Sequence, residues 1–176
     1  MRDAEAAWLD NFIRHLSHER RLSELTCKNY RRDLNVLADW CDSQGIASWA
    51  DVDDEHMRAW SATRFRQGLS PRSIQRQLSA ARTFFRFLLR EKRVDRNPAQ
   101  SVSAPKAGKR LPENLDADRM ARLLDIPGDG PLVTRDRAIL ELLYSSGLRL
   151  GELTSLNLGD VDLADGTVSV TGKGGK

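Results

Sequence analysis

Arg149 is the one charged side chain between Glu141 and Glu152, in the stretch SSGLRLGELTSLNLGD that spans residues 145–160. An arginine among apolar and small neighbours costs free energy unless an anion pairs with it. Glu152 offers one such partner, and the pair could be purely structural. Alternatively, Arg149 grips a phosphate with the two parallel donors of its planar fork, and Glu152 orients it. Farther on, Lys173 stands between glycines in TGKGGK. A phosphate-cradling P-loop needs G-x-x-x-x-G-K-[ST] leading into a helix. Here the lysine follows a strand-like pattern, the spacing differs and no Ser or Thr comes next, so nucleotide binding does not fit. A flexible hairpin carrying a lysine to a reaction centre fits better. An exposed hairpin turn is the plainer alternative.

A second feature is a row of arginines. At about 100° per residue, Arg72, Arg76, Arg82, Arg86, Arg90 and Arg93 fall within an arc of roughly 120° on one helix. Ile74, Leu78, Ala81, Phe85 and Leu88 cluster on the other side, and Glu91 is the one acid near the edge of the row. The preceding basic helix offers a smaller set, Lys28, Arg31 and Arg32, with Asn35 beside them. Most charge runs are solvated faces, but those usually mix signs. A like-charged row repels itself, and a polyanion relieves the repulsion. The pattern points to nucleic-acid binding through phosphate contacts and, where guanidinium groups reach a major groove, base edges.

The elements that must position these groups read as mainly helical. Asp3 begins a helix running to about Ser17. Ser23 caps a second whose apolar positions Cys27, Tyr30, Leu34, Leu37, Ala38 and Cys41 step by three and four, and Gly45 ends it. Asp53 starts a third, closed by Gly68. Ser70 and Pro71 suit the cap and first position of the fourth. From Pro98 to Pro112 there are prolines, bases and no apolar period, which reads as a linker. Three segments follow: a short helix from Leu115–Asp116, a buried helix over PLVTRDRAILELLYSSG ended by Gly147, and another helix from Arg149 to about Leu156. DVDLADGTVSVTG then alternates around Asp165-Gly166 and reads as a β-hairpin or meander. The expected domains are 1–97, a linker 98–112, and 113–176.

Composition narrows the class. The chain has 176 residues, 30% of them charged, with a net charge of +3. No apolar run approaches the roughly 18 residues of a membrane span. The first residues, MRDAEAAWLDNF, carry acids and no apolar core, unlike a secretory signal. Cys27 and Cys41 lack metal-ligand spacing. His15 and His18 are helical neighbours that would suit a metal, but no arranged set of further ligands accompanies them. The expectation is a cytoplasmic protein with no metal and no cofactor.

Several stretches carry a resemblance. SSGLRLGEL is similar to the first catalytic box of the tyrosine recombinases, the phage-integrase family, and TGKGGK to their catalytic β-hairpin. LSELTCKNYRRDL resembles the second helix of that family's core-binding domain. LSPRSIQRQLSAARTFFRFLLREKRVDRNPAQSVSAPK resembles its fourth helix and the linker beyond. LPENLDADRMARLLD followed by DRAILELLYSSGLRLGEL places the chain near the family's bacterial Xer branch, with the likeness running from about Trp8 to the end. The fold implied is a four-helix SAM-like core-binding domain, a linker, then the helical start and first β-hairpin of the catalytic domain.

The resemblance also implies roles. Arg149 matches the first arginine of the catalytic set, which holds the non-bridging oxygens of the scissile phosphate. Glu152 matches the acid supporting it, and Lys173 matches the general acid that protonates the leaving 5′ oxygen. Gly151 departs from the serine often found there. In the family a second cluster and a nucleophilic tyrosine lie downstream of the hairpin. Tyr30 and Tyr144, the tyrosines present, match neither, so the expectation is a fragment without its nucleophile, inactive alone. The DNA-binding residues expected from the two basic helix faces are Lys28, Arg31, Arg32, Arg72, Arg76, Arg82, Arg86 and Arg90. The implied activity is site-specific recombination of double-stranded DNA, with a second recombinase of the same branch as partner in a heterotetramer. A DNA-binding module without chemistry, architectural or competing, is the alternative. A helical transcription regulator is a third.

Overall fold

The computed structural model describes the backbone of residues 3–106, 108 and 114–172, and their side chains from Glu5 onward. It separates into two compact units, Met1–Lys109 and Arg110–Lys176. The described structure is mainly helical.

In the first unit, α1 (Asp3–Arg14) runs directly into a π-helical turn at His15–Glu19. The widened turn shows in the Arg20 N–H, which donates to the His15 carbonyl five residues back at 3.1 Å. α2 (Glu24–Ser43) starts at Ser23, whose hydroxyl accepts from the Thr26 N–H, as the sequence leads one to expect. Gly45 follows it at φ +73°, a left-handed geometry that costs glycine little. α3 (Asp54–Arg66) has Asp53 as its cap: the carboxylate accepts from the His56 N–H at 2.8 Å, and the His56 ring accepts from the Asp53 N–H at 3.3 Å. α4 (Pro71–Arg90) begins on the Ser70 cap with Pro71 in the first position. It ends at Arg90, and Lys92 lies at φ +55°. Arg93 is therefore off the helix and stacks over Trp8, which shortens the arginine row expected from the sequence.

One core joins these helices. Phe12, Leu34, Leu37, Met57, Trp60, Ile74, Leu78, Phe84, Phe85 and Leu88 are buried together. Phe84 sits edge-on to Phe12 at 5.3 Å and to Trp49 at 4.9 Å. Burying a side chain of this size contributes about 1.5–3 kcal/mol. Trp49 fastens α1 to the core: its indole N–H donates to the Glu5 carbonyl at 3.0 Å, and its backbone N–H donates to the Glu5 carboxylate at 3.1 Å.

The core also takes in chain that the sequence assigns to a linker. Pro98, Ala99 and Val102 are buried. Arg82 of α4 donates to the Ala99 carbonyl at 3.0 Å and the Val102 carbonyl at 2.6 Å, and Asn97 donates back to the Arg82 carbonyl at 2.9 Å. A linker beginning at residue 98 is thus corrected: apolar residues without a period still pack when a neighbouring helix takes up their backbone carbonyls. Residues 107 and 109–112 of the expected linker lie outside the described residues.

In the second unit, α5 (Ala117–Leu124) is capped by Asp116, which accepts from the Arg119 N–H at 2.8 Å. α6 (Pro131–Ser146) ends on Gly147 at φ +63°. Arg137 of α6 holds the α5–α6 turn by donating to the Ile126 and Gly128 carbonyls, both at 3.0 Å. α7 is short, Leu150–Thr154, and ends before the Leu156 expected. β1 (Val161–Asp162) and β2 (Thr167–Val168) pair antiparallel, Val161 opposite Val168. The Asp162 carboxylate accepts from the Ala164 and Asp165 N–H groups and shapes the turn of this hairpin. The expectation of a buried helix at α6 is corrected. None of the described residues of this unit is buried, and Leu132 and Tyr144 are exposed. α6 packs against α5 and α7, which are too short to enclose its apolar circumference.

Candidate nucleic-acid interface and phosphate site

α2 and α4 pack against each other in the first unit, and their outward faces form a groove of about 470 Å³. α2 supplies the set Thr26, Asn29, Tyr30 and Asp33 to it, and α4 supplies the set Arg72, Gln75, Arg76 and Ser79, with Ala80 and Arg82 beyond it. Both sets follow the same i, i+3, i+4, i+7 spacing, so one polar stripe of each helix faces the groove. Sequence reading missed Thr26, Asn29, Gln75 and Ser79. Their signal was that shared spacing, hidden because the arginines alone were counted.

The candidate arginines divide by their partners. Arg76 forms an ion pair with Asp33, whose side chain is 3% exposed. Arg82 spends its donors on the Ala99 and Val102 carbonyls. Arg90 bonds Glu91 at 2.9 Å, lies 3.9 Å from Glu19 and stacks over Phe87. Arg72 and Arg86 are exposed and make no ion pair or side-chain hydrogen bond among the described residues. On α2, Lys28 pairs with Glu24 at 2.8 Å, and that ion pair lowers the Glu24 carboxyl below its usual range while raising the Lys28 ammonium above its own. Arg31 pairs with Asp10 of α1 at 2.5 Å, and Arg32 lies 3.6 Å from Asp33. None of Lys28, Arg31 and Arg32 lines the groove. Of these candidates, Arg72 and Arg86 are therefore the positive charges without a partner among the described residues.

The second candidate site lies at the start of α7. Arg149 is the residue before the helix. Its backbone N–H donates to Glu152 Oε2 at 2.8 Å and its Nη1 donates to Glu152 Oε1 at 2.7 Å. Those two hydrogen bonds hold the Glu152 carboxyl below its ordinary range, the backbone one foremost. The Arg149 side chain is 81% exposed. The sequence-based picture of an arginine enclosed by apolar neighbours is corrected, because Leu148 and Leu150 flank a helix start that projects Arg149 outward. One edge of the guanidinium is fixed by Glu152 and the rest is open to an anion. Tyr144 is exposed at the end of α6. Lys173 lies outside the described residues.

Among the described residues no three His, Cys, Asp or Glu side chains are grouped to hold a metal. His15 bonds Glu19 at 2.8 Å and stacks on Phe87. No described helix is long and apolar enough to cross a membrane.

Known proteins share this organisation. Residues 9–92 match the family described as phage integrase, N-terminal SAM-like domain, and residues 113–176 match the phage integrase family. The chain is 47% identical over 174 residues to the tyrosine recombinase XerC of Xanthomonas campestris pv. campestris (strain B100), covering 99% of this chain and 54% of the relative. It is 50% identical over 169 residues to the XerC of Pseudomonas syringae pv. syringae (strain B728a), covering 96% of this chain and 56% of the relative. The chain thus spans about half the length of the curated relatives it matches. Among solved structures it resembles a lambda integrase tetramer bound to a Holliday junction, with a TM-score of 0.73 at 22% identity, covering 97% of this chain and 48% of the other. A lambda integrase dimer bound to a COC′ core site gives a TM-score of 0.69 at 21% identity, covering 97% and 46%. At that identity the likeness speaks for the fold.

Proposed function

Because this chain belongs to the phage integrase family of tyrosine recombinases, we propose that it is the DNA-gripping part of a XerC-type recombinase that cuts and rejoins double-stranded DNA at a specific site. The observation that carries the reading is the pairing of an arginine face on α4, opposite a packed core, with an outward-facing Arg149 steadied by Glu152. The face holds the duplex through its phosphates, chiefly by Arg72 and Arg86.

Arg149 then meets the scissile phosphate. Attack on a phosphodiester gathers negative charge on its equatorial oxygens, and a preorganised guanidinium stabilises that charge without a metal. Glu152 keeps the fork in place, so little reorganisation is needed as the charge develops. Lys173 protonates the leaving 5′ oxygen, which would otherwise depart as an unstable alkoxide. A tyrosine nucleophile would conserve the bond energy in a covalent 3′ link, so rejoining needs neither ATP nor water. Tyr144, five residues before Arg149 at the end of α6, is not placed in that role. The chain as given is therefore proposed to bind DNA and to leave it uncut. In the whole protein the partner would be a second Xer-type recombinase in a heterotetramer, and the task the resolution of chromosome dimers at cell division in the cytoplasm. The exposed Leu132, Leu150, Leu158 and Leu163 of the second unit support a reading in which further chain covers them.

Incubated with a duplex nicked near a candidate scissile phosphate, the chain should form no covalent adduct. Continued by the C-terminal half of the Xanthomonas relative, it should form one, and Arg149→Ala in that longer chain should abolish the adduct while duplex binding persists. An adduct from the given chain that disappears with Tyr144→Phe would overturn the assignment. A non-catalytic DNA-binding module is the second reading, favoured by the first unit's holding every buried residue among those described. It would be supported if the longer chain bound but never cut.

A further inference from the structure

We propose that Asp33 and Arg76 form a specificity-determining pair, in which a buried carboxylate of α2 fixes the guanidinium of α4 so that Arg76 reads base edges while Arg72 and Arg86 hold phosphates. The inference rests on the DNA-binding reading of this face.

The pair joins two helices across 43 positions of sequence. Asp33 is 3% exposed, and its Oδ2 accepts from Arg76 Nη1. A buried carboxylate is costly without a partner, so the bond is held firmly. The Arg76 side chain remains 44% exposed at the groove wall. It has five N–H donors, and its one hydrogen bond among the described residues, to Asp33, uses a single one. Its direction is thus set from below while its other donors face outward.

Two consequences separate Arg76 from its neighbours. Its charge is already compensated by Asp33, so placing it on a phosphate would release little of the counterion atmosphere that drives backbone binding. Its fork is oriented, which is what two parallel bonds to guanine O6 and N7 require. The surrounding groove residues match that use. Thr26, Asn29, Gln75 and Ser79 are short polar groups that both donate and accept, the side-chain types that read base edges. The other Asp33 oxygen, Oδ1, is buried and accepts no hydrogen bond among the described residues, and Arg32 lies 3.6 Å from it. Asp33 therefore presents negative charge toward arginines of both helices, an arrangement of little value to a surface that needs only net positive charge. Arg72, with no partner among the described residues, has the opposite character: its charge is uncompensated and suited to a phosphate.

The experiment is a binding-site selection with the full chain, using a duplex pool randomised over about two helical turns. Salt titrations of affinity are run in parallel. Asp33→Asn keeps the shape and removes the charge, and Arg76→Lys keeps the charge and removes the fork. Both should lose preference at the same base-pair position, by about tenfold in discrimination; the salt slope stays at the wild-type value in Arg76→Lys and does not fall in Asp33→Asn, which uncovers a positive charge rather than removing one. Arg72→Ala should do the reverse: a slope smaller by about 0.9 and a preserved preference. Should Asp33→Asn lose helix content, Arg76→Lys, which keeps a cation beside the buried Asp33, decides the matter; Arg76→Ala is read only where helix content is intact. Wild-type preference in the Arg76 variants, or a slope lowered by Arg76→Ala as much as by Arg72→Ala, overturns the inference. A wild-type chain with a salt slope but no base preference also overturns it and leaves the DNA-binding reading standing. Absence of salt-dependent duplex binding by the wild type overturns that reading itself.

Discussion

Replacing Arg82 with alanine separates an arginine used for folding from one used for DNA. Arg82 belongs to the arginine row by sequence, yet its Nε and Nη2 donate to the carbonyls of Ala99 and Val102, residues that are 0% and 3% exposed. Alanine removes two charge-assisted hydrogen bonds and leaves two largely buried acceptors to find water. Net losses for such groups put the cost at about 2–4 kcal/mol. At a urea m-value of about 2 kcal/mol/M the unfolding midpoint should fall by about 1–2 M. Trp8, Trp40, Trp49 and Trp60 all lie in the first unit, so tryptophan fluorescence follows that unit alone. The freed chain should also be cut earlier by trypsin at Lys106. Arg82→Lys keeps a charge but cannot fork to both carbonyls, and it should recover less than half of the loss. In DNA titrations the folded variant should keep the wild-type salt slope. A midpoint within about 0.2 M of wild type, together with a slope smaller by about 0.9, would refute this assignment and return Arg82 to the phosphate contacts.

Other expectations follow from the same contacts. Glu152 is held below its ordinary pKa, so the Arg149 anchor is fully present above the usual carboxylate range and is lost as pH falls through the lowered value. An NMR acid titration of the Arg149 amide should show that transition below the ordinary carboxyl range, and Glu152→Gln should remove it. Burial pushes the Cys41 thiol up to about 12. Its protonated state supports the fold below the unfolded-state value near 9, and that support is lost as pH rises toward 12. Thiol reagents near pH 8 should therefore label Cys41 only after unfolding. Phe84→Ala should cost about 3–5 kcal/mol, measured by urea denaturation, because Phe84 is enclosed between Phe12 and Trp49.

Local structure in this chain was legible wherever a residue acts within one turn. Ser23, Asp53, Ser70 and Asp116 cap the helices they announce, and Gly45 and Gly147 adopt the left-handed geometry that ends them. The π-helical turn at His15–Glu19 was not legible, because its widened hydrogen bonding depends on how α1 meets the core and leaves no local pattern. From Arg72 to Arg90 the arginines do lie on the side of α4 away from the buried Ile74, Leu78 and Phe85, whereas Arg93 lies off the helix. The row's counterions were not legible: Asp33 for Arg76 and the carbonyls of Ala99 and Val102 for Arg82 come from distant sequence, and an angular plot of one helix cannot contain them. Arg149 illustrates the same limit in reverse. Its apolar neighbours in sequence suggest enclosure, whereas the turn after Gly147 points them elsewhere and leaves the guanidinium outside, tied to Glu152.

The central claim is that the outward face of α4 grips duplex DNA through its phosphates. The most direct test is the salt dependence of duplex affinity for the wild-type chain and for the Arg72→Ala/Arg86→Ala variant. The two residues are about 21 Å apart along the helix axis, far enough to meet separate phosphates. The account predicts a weaker affinity in the variant and a log–log slope smaller by about 0.9 for each lost contact, about 1.8 together. Unchanged affinity and slope, with helix content intact, would contradict it.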